Sequence, residues 1–298
     1  MNIERIIKQK YVYHYTSYDT LFSLLKGFCD RKSDGCIYFR ASCIYNQNDP
    51  KEMEYGYDAI KEYLPSYEEK ENIPISDRLS QVYENPDFEI MCKNDYHQKM
   101  LDDYIEIGTI PYTISMTAKR DYLPMWSMYG KNGDGVCIKF EIEKMEKILN
   151  SFWGFVSYGK KELNKNMEVF FPSIYEILTK DSYMAENSEL INDKISKLSL
   201  INITISPFLK HKDYKYEKEF RFVYHIDYLP EIKVERFYRP RLFKISPYVE
   251  IPIPVDALKE IIIGPCANYN VLEPIINREL VHCGINVRVS KSKVPYRK

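Results

Sequence analysis

"YEKEFRFVYHI", residues 216–226, sets the fold of this chain. Large apolar residues alternate with polar ones, so Phe220, Phe222, Tyr224 and Ile226 share one face of an extended strand. Glu217, Glu219, Arg221 and His225 fall on the other. A strand of this kind buries its apolar face in a core and leaves the opposite face to water or to chemistry. The acidic doublet at its entrance, beside Lys218 and Arg221, has two readings. One is a solvated edge with ordinary ion pairs. In the other, one carboxylate stabilises a developing cation and its neighbour steers an acceptor.

Working outward, "YVYHYT" (11–16) is a first strand, with Val12, His14 and Thr16 on one face and Tyr11, Tyr13 and Tyr15 on the other. A helix follows, with Leu21, Leu24 and Leu25 at helical spacing, Ser17 as N-cap and Gly27 as stop. "CIYFRAS" (36–42) is a second strand, and the polar turn "NDP" (48–50) leads into a helix begun near Pro50. "YTISMT" (112–117), "GVCIKFEI" (135–142) and "FWGFVSY" (152–158) read as further strands, as do stretches at 219–227, 241–252, 259–264 and "NVRVS" near the end. Helical character fills 77–108, 162–205 and about 270–282. The chain therefore reads as one α+β domain over 1–298, with a central mixed, mainly antiparallel sheet and helices packed around it. The helical regions near 77–108 and 162–205 are insertions, within 55–108 and 160–205.

The 298 residues are 45% hydrophobic and carry a net charge of −1, which suits a folded protein and excludes a disordered or wholly nucleic-acid-coating chain. The charge is uneven. Residues 201–298 hold 17 Lys and Arg against 11 Asp and Glu, while residues 1–200 hold 25 against 32. No apolar run reaches membrane-spanning length, and "MNIERIIKQK" lacks the apolar stretch of a secretion signal, so a cytoplasmic location is expected. The seven cysteines form no C-x-x-C pair, and no H-E-x-x-H is present. No metal site is expected, and the cysteines read as small hydrophobes in a reducing compartment.

Four further stretches carry candidate chemistry, each beside a plain structural explanation. His14 can donate a hydrogen bond to a sugar hydroxyl or sit satisfied in a core. Ser115 and Thr117 share a strand face and can brace a pocket wall or merely decorate a sheet. Asn48 or Asp49 can cap the following helix, with Glu52 in its first turn favoured by the helix dipole. Gly130, Gly133 and Gly135 suggest a phosphate loop, but they lead into a strand instead of a helix, which excludes that reading. "KVERFYRPRLFK" (233–244) interleaves five cations with Phe237, Tyr238 and Phe243, a mixture that tracks a phosphate backbone, or a solvated hairpin.

Taken in order, "HYT" (14–16), "NDP" with Glu52, Ser115, "MW" (125–126) with Tyr129, "GVCIKF" (135–140), a lysine, "YEKEFR" (216–221) and "IIIG" (261–264) resemble the bacterial family catalogued as domain of unknown function 2971. That resemblance runs nearly the whole chain and is weakest across 55–108 and 160–205. A second likeness is to ADP-ribosyltransferases, which place His or Arg on an early strand, a Ser/Thr or Tyr element on a middle one, and Glu-x-Glu before a late one. His14, Ser115, and Glu217 with Glu219 occur in that order. The likeness implies NAD as substrate, split at its nicotinamide bond through an oxocarbenium-like state that a carboxylate stabilises. It implies Glu219 as the ribose-side carboxylate, Glu217 as orienter of the acceptor, His14 as ribose partner and Ser115 as a brace for Glu219. By chemical type, Trp126, Tyr129 or Tyr15 would stack on nicotinamide and Arg221 or Lys210 would meet pyrophosphate, with Thr16 beside them.

Three functions follow as expectations. The first is an ADP-ribosyltransferase-like enzyme acting on a macromolecule, as a toxin or phage-defence effector. The second is a noncatalytic nucleotide- or RNA-binding module using the basic C-terminal third. The third is a metal-dependent nuclease drawing on Asp49, Glu52 and the Glu pair.

Overall fold

The structure, a computed structural model, describes residues 9–47, 49, 51–86, 88, 111–146, 152–179, 194–225, 236–241 and 244–296. Its large sheet is built from β1 (Tyr11–Thr16), β2 (Cys36–Cys43), β3 (Pro111–Thr117), β4 (Val136–Glu141), β5 (Phe152–Phe155), β8 (Glu219–His225), β9 (Arg236–Arg241), β10 (Lys244–Pro254), β11 (Leu258–Ile263) and β12 (Arg288–Lys291). Two short strands, β6 (Ser157–Tyr158) and β7 (Leu209–Lys210), pair separately and in parallel. The helices are α1 (Tyr18–Asp30), α2 (Glu52–Lys70), α3 (Leu123–Met128), α4 (Ile142–Glu146), α5 (Gly159–Thr179), α6 (Lys194–Ile205) and α7 (Tyr269–Cys283). Every ladder of the large sheet is antiparallel except β11–β12, so the expected α+β class with a mixed, mainly antiparallel sheet holds.

The sheet branches at β3. One edge of β3 pairs with β8 along its full length, from Pro111 opposite His225 to Thr117 opposite Glu219. The other edge is shared: β1 meets it at Tyr13–Thr117, and β2 meets it at Ser42–Thr113 and Cys43–Tyr112. One leaf, β1-β4-β11-β12, leaves from the end of β3, and the other, β2-β10-β9, leaves from its beginning. Val12, Phe39, Ile114, Phe140, Phe220 and Ile251 bring the apolar faces of both leaves and of β3–β8 into one core. Leu21, Leu25 and Phe28 of α1 and Ile276 and Leu280 of α7 close it. This is the burial that the alternation in 220–224 demands.

A second core is helical. Tyr57, Ile60 and Leu64 of α2 pack with Met167 and Phe171 of α5 and Leu198 and Ile201 of α6. The chain enters the α5–α6 part after β6 and leaves it into β7, so the two flanking strands lie side by side. The expected helix near 77–108 begins instead as two 3₁₀ turns, Ile75–Asp77 and Ser80–Glu84; the fully buried Glu68 accepts hydrogen bonds from the Leu79 N–H (2.6 Å) and the Ser80 N–H (3.2 Å). Residues 89–110 lie outside the described residues.

Several local expectations are corrected. Ser17 does cap α1, accepting from the Thr20 N–H at 3.2 Å, but Gly27 lies inside the helix and the helix runs on to Asp30. "FWGFVSY" is two strands, because Val156 separates a β5 that joins β8 from a β6 that turns to β7. The cysteines are not all isolated hydrophobes: Cys29 at the end of α1 and Cys283 at the end of α7 form a disulfide with Cα atoms 5.4 Å apart. Gly135 lies in the loop before β4 because a Cβ there would stand 2.4 Å from the Thr16 carbonyl oxygen, so backbone packing, not phosphate, explains it. The basic stretch forms the β9–β10 hairpin, with residues 233–235 and 242–243 outside the described residues. Among the described residues, no helix is long and apolar enough to cross a membrane.

Candidate functional site

Glu217 ends a 3₁₀ turn, Lys212–Glu217, and Glu219 begins β8; Lys218 between them takes a left-handed backbone (φ 46). That conformation is uncommon for a residue with a side chain. It is held by the Thr117 hydroxyl, which donates to the Glu217 carbonyl at 2.6 Å, and by the Ala118 N–H, which donates to the Lys218 carbonyl at 3.0 Å. The turn brings both carboxylates onto Lys210 of β7, whose ammonium donates to Glu217 Oε2 at 2.7 Å and Glu219 Oε2 at 3.3 Å.

Around this pair the partners are specific. The Tyr129 hydroxyl donates to Glu217 Oε1 at 2.5 Å. Arg221 grips Glu219 through both oxygens, Nε to Oε1 at 2.5 Å and Nη2 to Oε2 at 2.9 Å. Its third edge, Nη1, reaches the Pro207 carbonyl at 2.6 Å and the Glu52 carboxylate at the start of α2. The Tyr158 hydroxyl accepts from the Glu219 N–H at 2.9 Å. Glu52, Lys210, Glu217, Glu219 and Arg221 are all buried. Three carboxylates therefore meet two cations, so the cluster carries one surplus negative charge when all are ionised.

Burial pushes the Glu219 carboxyl up to about 7, against the pull of Lys210. Burial also brings the Arg221 guanidinium down to about 9. For Lys210, burial favours the neutral form, but Glu219 and Glu217 outweigh it and hold the ammonium above its ordinary range. The Ser115 hydroxyl is near enough to Glu219 to favour its ionised form, yet it makes no well-aligned hydrogen bond.

A cavity of about 790 Å³ lies where β1 and β2 part. Glu217, Glu219, Lys210, Arg221 and Tyr129 line it together with Ser115. Its lining also includes His14, Tyr15 and Thr16 of β1, Phe39 and Arg40 of β2, and Ser23, Lys26 and Gly27 of α1. The register places Tyr13, Thr117 and Glu219 on one face of the strands, so His14 points to the other, edge-on to Phe39 at 5.3 Å. It reaches the shared cavity because β1 has left the edge of β3 there. His14 Nδ1 lies 3.3 Å from the Ser115 carbonyl oxygen, which only accepts, so Nδ1 carries the hydrogen and Nε2 keeps a lone pair. Burial lowers the imidazole pKa and so favours the neutral ring, an effect partly offset by the hydrogen bond to the Ser115 carbonyl.

The sequence reading brings some residues together and misplaces others. His14, Tyr15, Thr16, Ser115, Tyr129 and the doublet share the cavity. Trp126 does not: it is wholly buried beside Tyr15 and donates its Nε1–H to Asp121 at 2.9 Å, so it has no face free for nicotinamide. Lys210 and Arg221 are already engaged by carboxylates, unlike cations awaiting a pyrophosphate; Lys26 and Arg40, at the cavity's other lining, are the exposed ones. Asp49 is buried and accepts from the Lys51 N–H at 3.0 Å, α2 starts at Glu52, and Asn48 and Pro50 lie outside the described residues. Among the described residues no group of three or more His, Cys, Asp and Glu is placed to hold a metal, and Arg221 and Lys210 stand between the carboxylates of the proposed nuclease set. Tyr158 escapes a sequence reading because its role arises from the pairing of two strands fifty residues apart, Tyr158 being opposite Lys210.

No curated protein and no solved structure matches the chain significantly. The family comparison is narrower than the nearly chain-long likeness of the short motifs, yet it covers Lys210, Glu217, Glu219 and Arg221: over residues 125–222 the chain is similar to the family described as Protein of unknown function (DUF2971).

Proposed function

We propose that the cavity binds NAD and that the protein is an ADP-ribosyltransferase-like enzyme modifying a macromolecular target, in the manner of a toxin or phage-defence effector. One observation carries this reading: an imidazole from the first strand and an acidic doublet from the last third line one cavity, whose volume falls within the range of small-molecule sites. The surplus carboxylate charge suits a reaction that develops positive charge. In that reaction the bond between the ribose C1′ and the nicotinamide nitrogen breaks, and its electron pair leaves with neutral nicotinamide. The oxocarbenium-like ribose faces Glu219, whose Oε1 keeps a second lone pair beside its Arg221 bond, while Oε2 accepts from both Arg221 and Lys210. The acceptor nucleophile then bonds to C1′ and passes its proton to Glu217. His14 Nε2 accepts from a ribose hydroxyl, and Tyr15, Thr16 and Tyr129 supply the walls.

Purified protein incubated with labelled NAD and cell lysate tests the proposal. The expected result is nicotinamide release and labelled macromolecules, both lost in E219Q. Wild-type protein that neither binds NAD, releases nicotinamide nor labels a target would end it.

A further inference from the structure

Arg221 is 1% exposed, and all three nitrogens of its planar fork are engaged: Glu219 takes Nε and Nη2, while Pro207 and Glu52 take Nη1. Glu52 and Pro207 both belong to the helical side of the molecule, Glu52 opening α2 and Pro207 lying in the 3₁₀ turn Ser206–Phe208 after α6. They converge because Gly56, one turn beyond Glu52 on the same helix face, lets α2 approach Ser206; a Cβ on Gly56 would stand 2.3 Å from the Ser206 Cβ. A guanidinium clamped in its own plane from two sides holds the carboxylate it grips in one orientation.

We infer that Glu52 is a positioning residue for the acidic doublet: acting through Arg221, it fixes the orientation of Glu219 and the charge around it. This deepens the proposed function, and rests on it only for the role given to Glu219. Many buried ion networks are merely structural. This one differs in that its outermost carboxylate is linked, through one side chain, to a carboxylate lining the cavity. The groups bearing on Glu219 are Lys210 from β7, Glu217 from the preceding turn, Ser115 from β3, Tyr158 from β6 and Arg221 from its own strand, with Glu52 and Asp49 behind Arg221. Tyr129 acts through Glu217, and His14 lines the same cavity.

The test is a carboxyl-carbon NMR titration of glutamate-labelled protein, with the Glu219 signal assigned by its loss in E219Q. E52Q keeps the shape, removes a like charge and leaves Arg221 more strongly committed to Glu219. The Glu219 midpoint should fall by about one pH unit, within the range that neighbouring charges produce. If E52Q does not fold, E52D, whose carboxylate is withdrawn by one methylene, should lower the midpoint in the same direction by less. An unchanged midpoint in the folded variant overturns the inference, since a purely structural role would leave it unmoved. The pH profile of nicotinamide release should extend to lower pH in the same variant. A shifted Glu219 titration in a protein without NAD cleavage would sink the enzymatic reading and leave the link from Glu52 to Glu219 standing.

Discussion

Tyr158 and Lys210 face each other across the β6–β7 pair, and each touches the acidic doublet. Tyr158 accepts from the Glu219 N–H, while Lys210 donates to both carboxylates. They are the last residue before α5 and the last residue of the strand that follows α6, so the helical insertion departs and returns through the site's own supports.

Removing the Tyr158 hydroxyl therefore leaves a buried backbone N–H without its partner. Y158F should lose about 1–3 kcal/mol of stability. Urea denaturation of the purified variant measures it, and unchanged stability would show that the Glu219 N–H finds another acceptor.

Lys210 is the only cation touching both members of the doublet among the described residues. K210M should cost about 3–5 kcal/mol at neutral pH, because it strands buried carboxylate charge. The loss should shrink in acid. A carboxyl whose native pKa lies above its unfolded value holds a proton that the unfolded chain has released, so stability falls as pH rises through that window. Glu219 already stands at about 7 against an ordinary 4.5, and loss of Lys210 raises it further. Denaturation at pH 5.5 and pH 8 should show the larger deficit at pH 8; equal deficits would contradict the assignment.

Two glycines should respond in opposite ways. G56A drives a Cβ to within 2.3 Å of the Ser206 Cβ and should destabilise the protein by about 1–3 kcal/mol, with partial recovery in G56A/S206G. G27A meets nothing closer than the Arg31 Nη2 at 3.6 Å and should stabilise α1 by about 0.5–1 kcal/mol. Thermal unfolding of both variants side by side separates overpacking from helix propensity.

His14 supports the Ser115 carbonyl at a point where neither leaf of the sheet pairs with it. H14A should weaken NAD binding at least tenfold if Nε2 meets the ribose, as titration calorimetry would show. A variant that folds and binds NAD as the wild type does would remove His14 from the site.

The fold was legible where side-chain period is unambiguous. The alternation of 219–224 and of 11–16 gave the right faces, since a slip of one residue would turn Glu219 and Arg221 into the apolar core in place of Phe220 and Phe222. The cavity's carboxylates were legible for the same reason. Gly27 misled because its helix is fixed by Leu21, Leu25 and Phe28 against the sheet, and that packing outweighs a glycine's modest cost. Trp126 and Lys210 meet partners close in the chain, Asp121, Glu217 and Glu219, but across turns, and Arg221 reaches both its neighbour Glu219 and the distant Glu52, so strand and helix periodicity alone does not reveal these jobs. The disulfide between Cys29 and Cys283 spans 254 positions and leaves no local pattern.

The shared edge of β3 sets a lower bound on that strand's length. Seven residues seat β2 at one end and β1 at the other, with Ile114, Ser115 and Met116 between them beside the cavity. Deleting two residues there would bring the leaves together and close the gap, whereas α5 and α6 can grow or shrink without moving either leaf. The length of β3 is thus tied to the width of the cavity mouth in a way that the length of α5 and α6 is not.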